Sequence, residues 1–172
     1  MSDWKQLFED APTRTLEQGA ILFRREDRVR SMYLVRSGMV ALERPLADGT
    51  ALTLSVATSG MALAEASLSA KTYHCDAIAC LNSKIAFMPR ATFRSALRDR
   101  PDDALGLIET YAREIQSQRA RIEILRLRRV ADRLDAWLDL NGEPPSGGWI
   151  RVADQIGVSP PALYRELARR RR

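Results

Sequence analysis

Residues 31–60 read SMYLVRSGMVALERPLADGTALTLSVATSG. Three short apolar runs, Ser31 to Val35, Met39 to Arg44 and Thr50 to Ala57, are separated by Ser37-Gly38 and Asp48-Gly49 and closed by Ser59-Gly60. Runs this short cannot complete an amphipathic helix, and Gly after Ser or Asp supplies the backbone freedom that tight turns need. The pattern predicts β-strands. It continues outward to Ala20 to Phe23 on one side and to Tyr73 to Cys80 and Lys84 to Pro89 on the other. Many short strands at regular spacing between about residues 15 and 90 predict a sandwich or jelly roll. Within it, Leu63-Ala64-Glu65-Ala66-Ser67-Leu68 breaks the alternation and predicts one short helical turn.

From Pro101-Asp102-Asp103 the period changes to that of a helix, with Pro and acidic residues in a first turn that suits the helix dipole. Its apolar positions fall at Leu105, Ile108, Ala112, Ile115, Ile122 and Leu125, with Arg119 as one polar layer. A helix over about 103 to 128 would be roughly 39 Å long. Such a stripe is best covered by a second copy of the same helix, the alternative being that it packs on the strand domain. Val130-Ala131, Leu134, Trp137, Leu138 and Leu140 then carry a helical period to the cap signal Asn141-Gly142, and Pro144-Pro145 and Gly147-Gly148 follow. After the apolar step Trp149-Ile150, residues 152–167 read VADQIGVSPPALYREL. Ala153 is small where two helices would cross, Gly157 permits a left-handed turn, Val158 and Leu163 plug the angle, and Ser159-Pro160 starts a second helix. This spacing predicts a helix-turn-helix, with a helix hairpin of no nucleic-acid role as the alternative.

Composition narrows the chemistry. The 172 residues are 45% hydrophobic and 28% charged, as in a globular protein able to bury a core. No apolar run approaches the length of a membrane helix. Residues 1–12, with Asp3, Glu9 and Asp10 among Trp4 and Phe8 at helical spacing, lack the plan of a secretory signal, so the cytoplasm is the expected compartment. Two cysteines, Cys75 and Cys80, exclude a four-thiolate cluster and a disulfide framework. The single histidine, His74, excludes multi-histidine metal centres, and no nucleophile constellation suggests an enzyme. The net charge is +5 and the pI about 9.7. Arginines concentrate at 126, 128, 129 and 133 and at 169–172, which points toward a polyanion.

Taken together, these parts resemble the cyclic-AMP receptor protein and fumarate-nitrate regulator (Crp/Fnr) family over nearly the whole chain. Gly19 with Leu22-Phe23, Tyr33-Leu34-Val35 with Ser37-Gly38, Asp48-Gly49, and Gly60-Met61-Ala62-Leu63-Ala64-Glu65 look like the glycine-marked corners and phosphate-cassette opening of that family's β-roll. A long helix and a helix-turn-helix follow in the family's order. The resemblance implies a homodimeric transcription regulator that binds double-stranded DNA, with RNA polymerase as a candidate contact and a small-molecule effector of unknown identity. In members that bind cyclic nucleotides an Arg-Ser pair follows the cassette glutamate and holds the phosphate. Here the corresponding segment is Lys71-Thr72-Tyr73-His74-Cys75-Asp76, without that guanidinium, so cyclic AMP is not expected as the ligand. An iron-sulfur cluster would need more cysteines. Haem on His74 or Cys75, or redox sensing by Cys75 or Cys80, remains chemically open beside the commoner packing role of such residues. The family's β-hairpin wing is expected to be absent or vestigial. Two base-reading positions of the cyclic-AMP receptor fall on Pro160 and Pro161, which leaves Arg165 as the match.

The expected architecture is α+β: a double-stranded β-helix (jelly-roll) sensor over 1–100, a dimerisation helix over 101–128 and a minimal helix-turn-helix over 129–172. The expected effector pocket is Glu65, Lys71, Tyr73, His74 and Cys75, with Glu65 either a ribose-type contact or a cap on its own turn. DNA is expected to meet Ser159, Ala162, Tyr164, Arg165, Arg169, Arg170, Arg171 and Arg172. The dimer seam is expected at Leu105, Ile108, Ala112, Ile115, Ile122 and Leu125. The competing reading is a homodimeric signalling or adaptor protein whose degenerate sensor and helices bind a protein partner.

Overall fold

The computed structural model describes residues 3–170. Eight strands follow one another: β1 Thr13–Leu16, β2 Ile21–Phe23, β3 Ser31–Ser37, β4 Met39–Pro45, β5 Ala51–Thr58, β6 Ala62–Leu63, β7 Asp76–Ala79 and β8 Ser83–Pro89. They form two four-stranded sheets, β1-β8-β3-β6 and β2-β7-β4-β5, every pairing antiparallel. The first four connections are short, while β7 joins β4 and β8 joins β3 across the roll, which interleaves the two sheets as in a jelly roll. Inward-facing Val35, Val40, Leu63, Ala77, Ala79 and Ile85 are fully or almost fully buried between them.

The turns behave as their chemistry requires. Gly38 has φ of 91° between β3 and β4, and a Cβ there would lie 2.2 Å from Ser83 Oγ and 2.5 Å from the Asn82 carbonyl oxygen, so only Gly fits. The interrupted stretch after β6 is a 3-10 turn, Glu65–Ser67, entered through Ala64 in the left-handed conformation (φ 69°).

Several expectations need correction. Tyr73, His74 and Cys75 lie outside β7, which begins at Asp76, because Tyr73 exchanges backbone hydrogen bonds with the Glu26–Asp27 turn. The edge strand β1 and the two-residue β6 were not anticipated: β1 exposes three of its four residues, and β6 is too short to carry alternation. A helix absent from the sequence reading, α1 (Arg90–Asp99), follows β8 and buries Phe93 against Phe8, with ring centroids 5.6 Å apart. Phe8 belongs to a 3-10 turn, Trp4–Phe8, whose two aromatic residues are both buried.

Four more helices complete the chain: α2 Pro101–Arg126, α3 Val130–Asn141, α4 Trp149–Gln155 and α5 Pro160–Arg170. The polypeptide divides into two compact units within α2, after Leu107. In the second, Ile124 of α2 joins Leu134, Val152, Ala153, Ile156 and Leu163 in one buried cluster, flanked by Trp137, Trp149, Val158 and Leu167. Helix α3 ends at Gly142 (φ 71°), whose N–H donates to the Leu138 carbonyl at 2.8 Å, the geometry that the Asn141-Gly142 signal predicts. No described helix is long and apolar enough to cross a membrane.

Candidate functional site

In the β-rich unit, the loop from the 3-10 turn to β7 holds the expected pocket residues. Tyr73 is buried, its ring stacked on Phe23 with centroids 3.9 Å apart, and its hydroxyl donates to the Ser31 carbonyl at 3.2 Å. Burial, and then the neighbouring Tyr33 hydroxyl, push its ionisation above the ordinary tyrosine range. Its position is therefore that of a core residue closing the loop. Lys71 and His74 are exposed, with His74 Nδ1 within 3.4 Å of Ser67 Oγ. Glu65 opens the 3-10 turn, and its Oε2 is fully buried. Cys75 is a buried free thiol, whereas Cys80 is half-exposed. Burial first, and the negative charge of Glu65 second, hold the Cys75 thiol protonated, a direction opposite to that of a reactive cysteine.

One residue of this region escaped the sequence reading. Leu42 pairs with Ala77 and Glu43 with Asp76, which brings Arg44 to the end of the ladder beside Cys75, and the positive charge of Arg44 partly offsets the other influences on that thiol. The legible signal was parity: Arg44 stands two residues beyond the inward-facing Leu42. Arg90, at the start of α1, donates to the Ala70 carbonyl and ties the loop to the base of the roll. Among the described residues no group of three or more His, Cys, Asp or Glu is placed to hold a metal ion.

On α2, Leu105, Ile108, Ala112, Ile115 and Ile122 are exposed, Ile108 by 62% of its surface. Leu125 differs. A Cβ on Gly157 would lie 2.6 Å from Leu125 Cδ2, so this side chain packs on the turn between α4 and α5, although 37% of it stays exposed.

That turn has Gly157 at φ of 65°, and the Ser159 carbonyl accepts from the N–H groups of Ala162 and Leu163 as α5 begins. Leu163 is fully buried on α4 and Ala162 half-buried, while Tyr164 and Arg165 face outward. The Arg165 side chain makes no hydrogen bond or ion pair with any described residue. Arg169 and Arg170 are engaged: both donate to Glu166, at 2.8 and 2.9 Å, and Arg170 also reaches Asp135 at 2.6 Å and the Ala131 carbonyl at 3.0 Å. Hydrogen bonds from Arg169 and then Arg170 hold the Glu166 carboxyl down at about 2. Arg171 and Arg172 lie outside the described residues. The spacing of Glu166 to Arg169 and Arg170, three and four residues, was a readable sign of this clip. Arg133 and its contacts were not readable, since its partners are backbone carbonyls of two segments, the end of α2 and the turn before α5.

With this geometry in place, comparison with known proteins is decisive for the first unit. Residues 13–100, just over half of the chain, match the family model described as the cyclic nucleotide-binding domain. The chain belongs to the cyclic nucleotide-binding domain family. The match to this family spans all eight strands and α1, so the helix missed in the sequence is part of the domain. Solved structures similar to this family member are Crp/Fnr-type regulators. FixK2 from Bradyrhizobium japonicum has a TM-score of 0.69 at 16% identity, covering 92% of this chain and 83% of that one. The c-di-GMP responsive global regulator CLP from Xanthomonas campestris has a TM-score of 0.64 at 18% identity, covering 97% and 89%. The catabolite activator protein of Thermus thermophilus has a TM-score of 0.57 at 21% identity, covering 95% and 80%. At these identities the likeness is one of fold. No curated protein matches the sequence.

Proposed function

We propose that this protein is a homodimeric, DNA-binding transcription regulator of the Crp/Fnr type, not an enzyme, whose β-roll does not answer to cyclic AMP. The observation that carries the reading is Arg165: an exposed guanidinium without a partner among the described residues, on a helix that is seated by buried Leu163 on α4 across a glycine turn. An arginine presented in this way fits the bidentate reading of a guanine edge in the major groove. Residues 1–100 form the sensor, 101–128 the dimer helix and 129–172 the DNA module, working in the cytoplasm on double-stranded DNA, with RNA polymerase as a further contact. The exposed stripe Leu105, Ile108, Ala112, Ile115 and Ile122, with Leu125 at its margin, supports pairing with a second copy.

The effector is a small molecule at the mouth of the roll, near Glu65, Lys71, His74 and Cys75. The absence of a phosphate-holding Arg-Ser pair in 71–76 supports a ligand other than a cyclic nucleotide. Helix α5 divides its arginines. Arg165 reads sequence, while Arg169 and the arginines that follow meet phosphates, Arg170 giving part of its capacity to Asp135.

The test is Arg165→Ala, assayed by binding isotherms on a duplex selected from genomic DNA by the protein itself and on random duplex. A loss of about 1–3 kcal/mol on the selected duplex with little change on random DNA is expected. Equal losses on both, or no selected duplex at all, would replace this reading with that of a homodimeric adaptor that binds a protein partner.

A further inference from the structure

The arginines crowded around the joint between α2 and α3 are of two kinds. Arg133 is consumed by the fold: its Nε donates to the Leu127 carbonyl at 2.8 Å, Nη2 to Leu125 at 3.1 Å, and Nη1 to Ile156 at 3.0 Å and Gly157 at 3.2 Å. It fastens the end of α2 to the turn before α5. Arg126, Arg128 and Arg129 are exposed, and their side chains make no hydrogen bond or ion pair with any described residue. Glu123 and Asp132, the nearest acidic residues in sequence on either side, form no ion pair with any of them. Three positive charges within four residues repel one another, and no ion pair with a described residue offsets the repulsion.

Their position connects them to α5. Because Arg170 bonds Ala131 and Asp135, the end of α5 lies along the first turns of α3, immediately after Arg128 and Arg129. Arg165 and Arg169, four residues apart, share one face of α5. Exposed guanidiniums therefore run as a band from Arg165 through Arg169 to the α2–α3 joint.

We infer that Arg126, Arg128 and Arg129 form a second DNA contact, gripping phosphates of the strand that borders the groove occupied by α5. This inference rests on the DNA-binding reading above. A duplex suits the band because its phosphates present about one negative charge per 1.7 Å of axis, a density that several adjacent arginines can engage together. The contact carries no base information. It sets the strength and salt dependence of binding, whereas Arg165 sets the sequence preference.

The experiment compares the full chain with the triple variants R126Q/R128Q/R129Q and R126K/R128K/R129K, by isotherms on selected and random duplexes at several salt concentrations. Each phosphate contact contributes roughly 0.9 to the slope of log K against log salt. The glutamine triple should flatten that slope by about 2–3 on both duplexes alike, while the lysine triple, which keeps the charge, should retain it. Each single Arg→Gln variant should remove about 0.9, so the result stands even if the triple folds poorly. A wild-type slope in the glutamine variants would overturn the inference while leaving the DNA-binding reading intact. Wild-type protein that binds neither duplex would overturn both.

Discussion

Gly38 shows how much a single residue decides here. Its φ of 91° and the 2.2 Å that a Cβ would leave to Ser83 Oγ mean that any other side chain must displace the β8 backbone as well as strain its own. Gly38→Ala should destabilise the β-roll by about 3 kcal/mol or more, read from urea unfolding, whereas Gly49→Ala, with nothing within 4 Å, meets only the cost of its φ of 85°. The two cysteines give a second test. Cys75 is buried and its thiol is held protonated by that burial, whereas Cys80 is half-exposed. A thiol reagent at neutral pH should modify Cys80 first and Cys75 only as the chain unfolds, and Cys80→Ser should abolish the fast phase. Rapid modification of Cys75 in the folded protein would contradict this and restore a redox role.

At the scale of elements, the clip that Glu166 makes with Arg169 and Arg170 within α5 gives a pH dependence with a definite sign. Glu166 titrates near 4.5 when free but is held at about 2 by Arg169 and Arg170 in the folded unit. A carboxyl depressed by folding adds stability that is complete above its free value and is lost as pH falls through the folded one. The stability of the helical unit, followed by Trp137 and Trp149 fluorescence, should therefore decline from about pH 4.5 toward 2, and Glu166→Gln should remove that part of the decline. An unchanged pH profile in the variant would show that the clip contributes nothing. Helix α2 makes the other prediction at this scale. With Ile115 and Ile122 each 51% exposed in the single chain, the parent should sediment as a dimer and the double variant Ile115→Glu and Ile122→Glu as a monomer. A dimeric double variant would place the seam elsewhere.

For the molecule as a whole, titration calorimetry with cyclic AMP and cyclic GMP should give no saturable heat. Micromolar binding of either would put Lys71 or Arg44 in the phosphate-holding role. Much of the architecture was open to reading because it is written in local chemistry. Gly after Ser or Asp marks turns between β3, β4 and β5, Pro101-Asp102-Asp103 starts α2, Asn141-Gly142 ends α3, and a small residue, a glycine and a proline lay out α4 and α5. These signals act through φ, caps and period, which depend on residues close in sequence. The short strands β1 and β6 carry too few residues to show a period, helix α1 buries Phe93 without a capping signal at its start, and all three form because Leu16, Leu63 and Phe93 find partners far away in the chain. The candidate sites divide in the same way. That α5 is basic follows from its residues alone, but which arginines are free does not. Arg133 bonds carbonyls up to 24 residues distant, Arg170 reaches Asp135 across 35, and the side chains of Arg126, Arg128, Arg129 and Arg165 are left without partners among the described residues. Composition determined how much positive charge this protein carries; only tertiary packing, which brings carboxylates and carbonyls from remote segments to some guanidiniums and not to others, decided how much of it faces a partner.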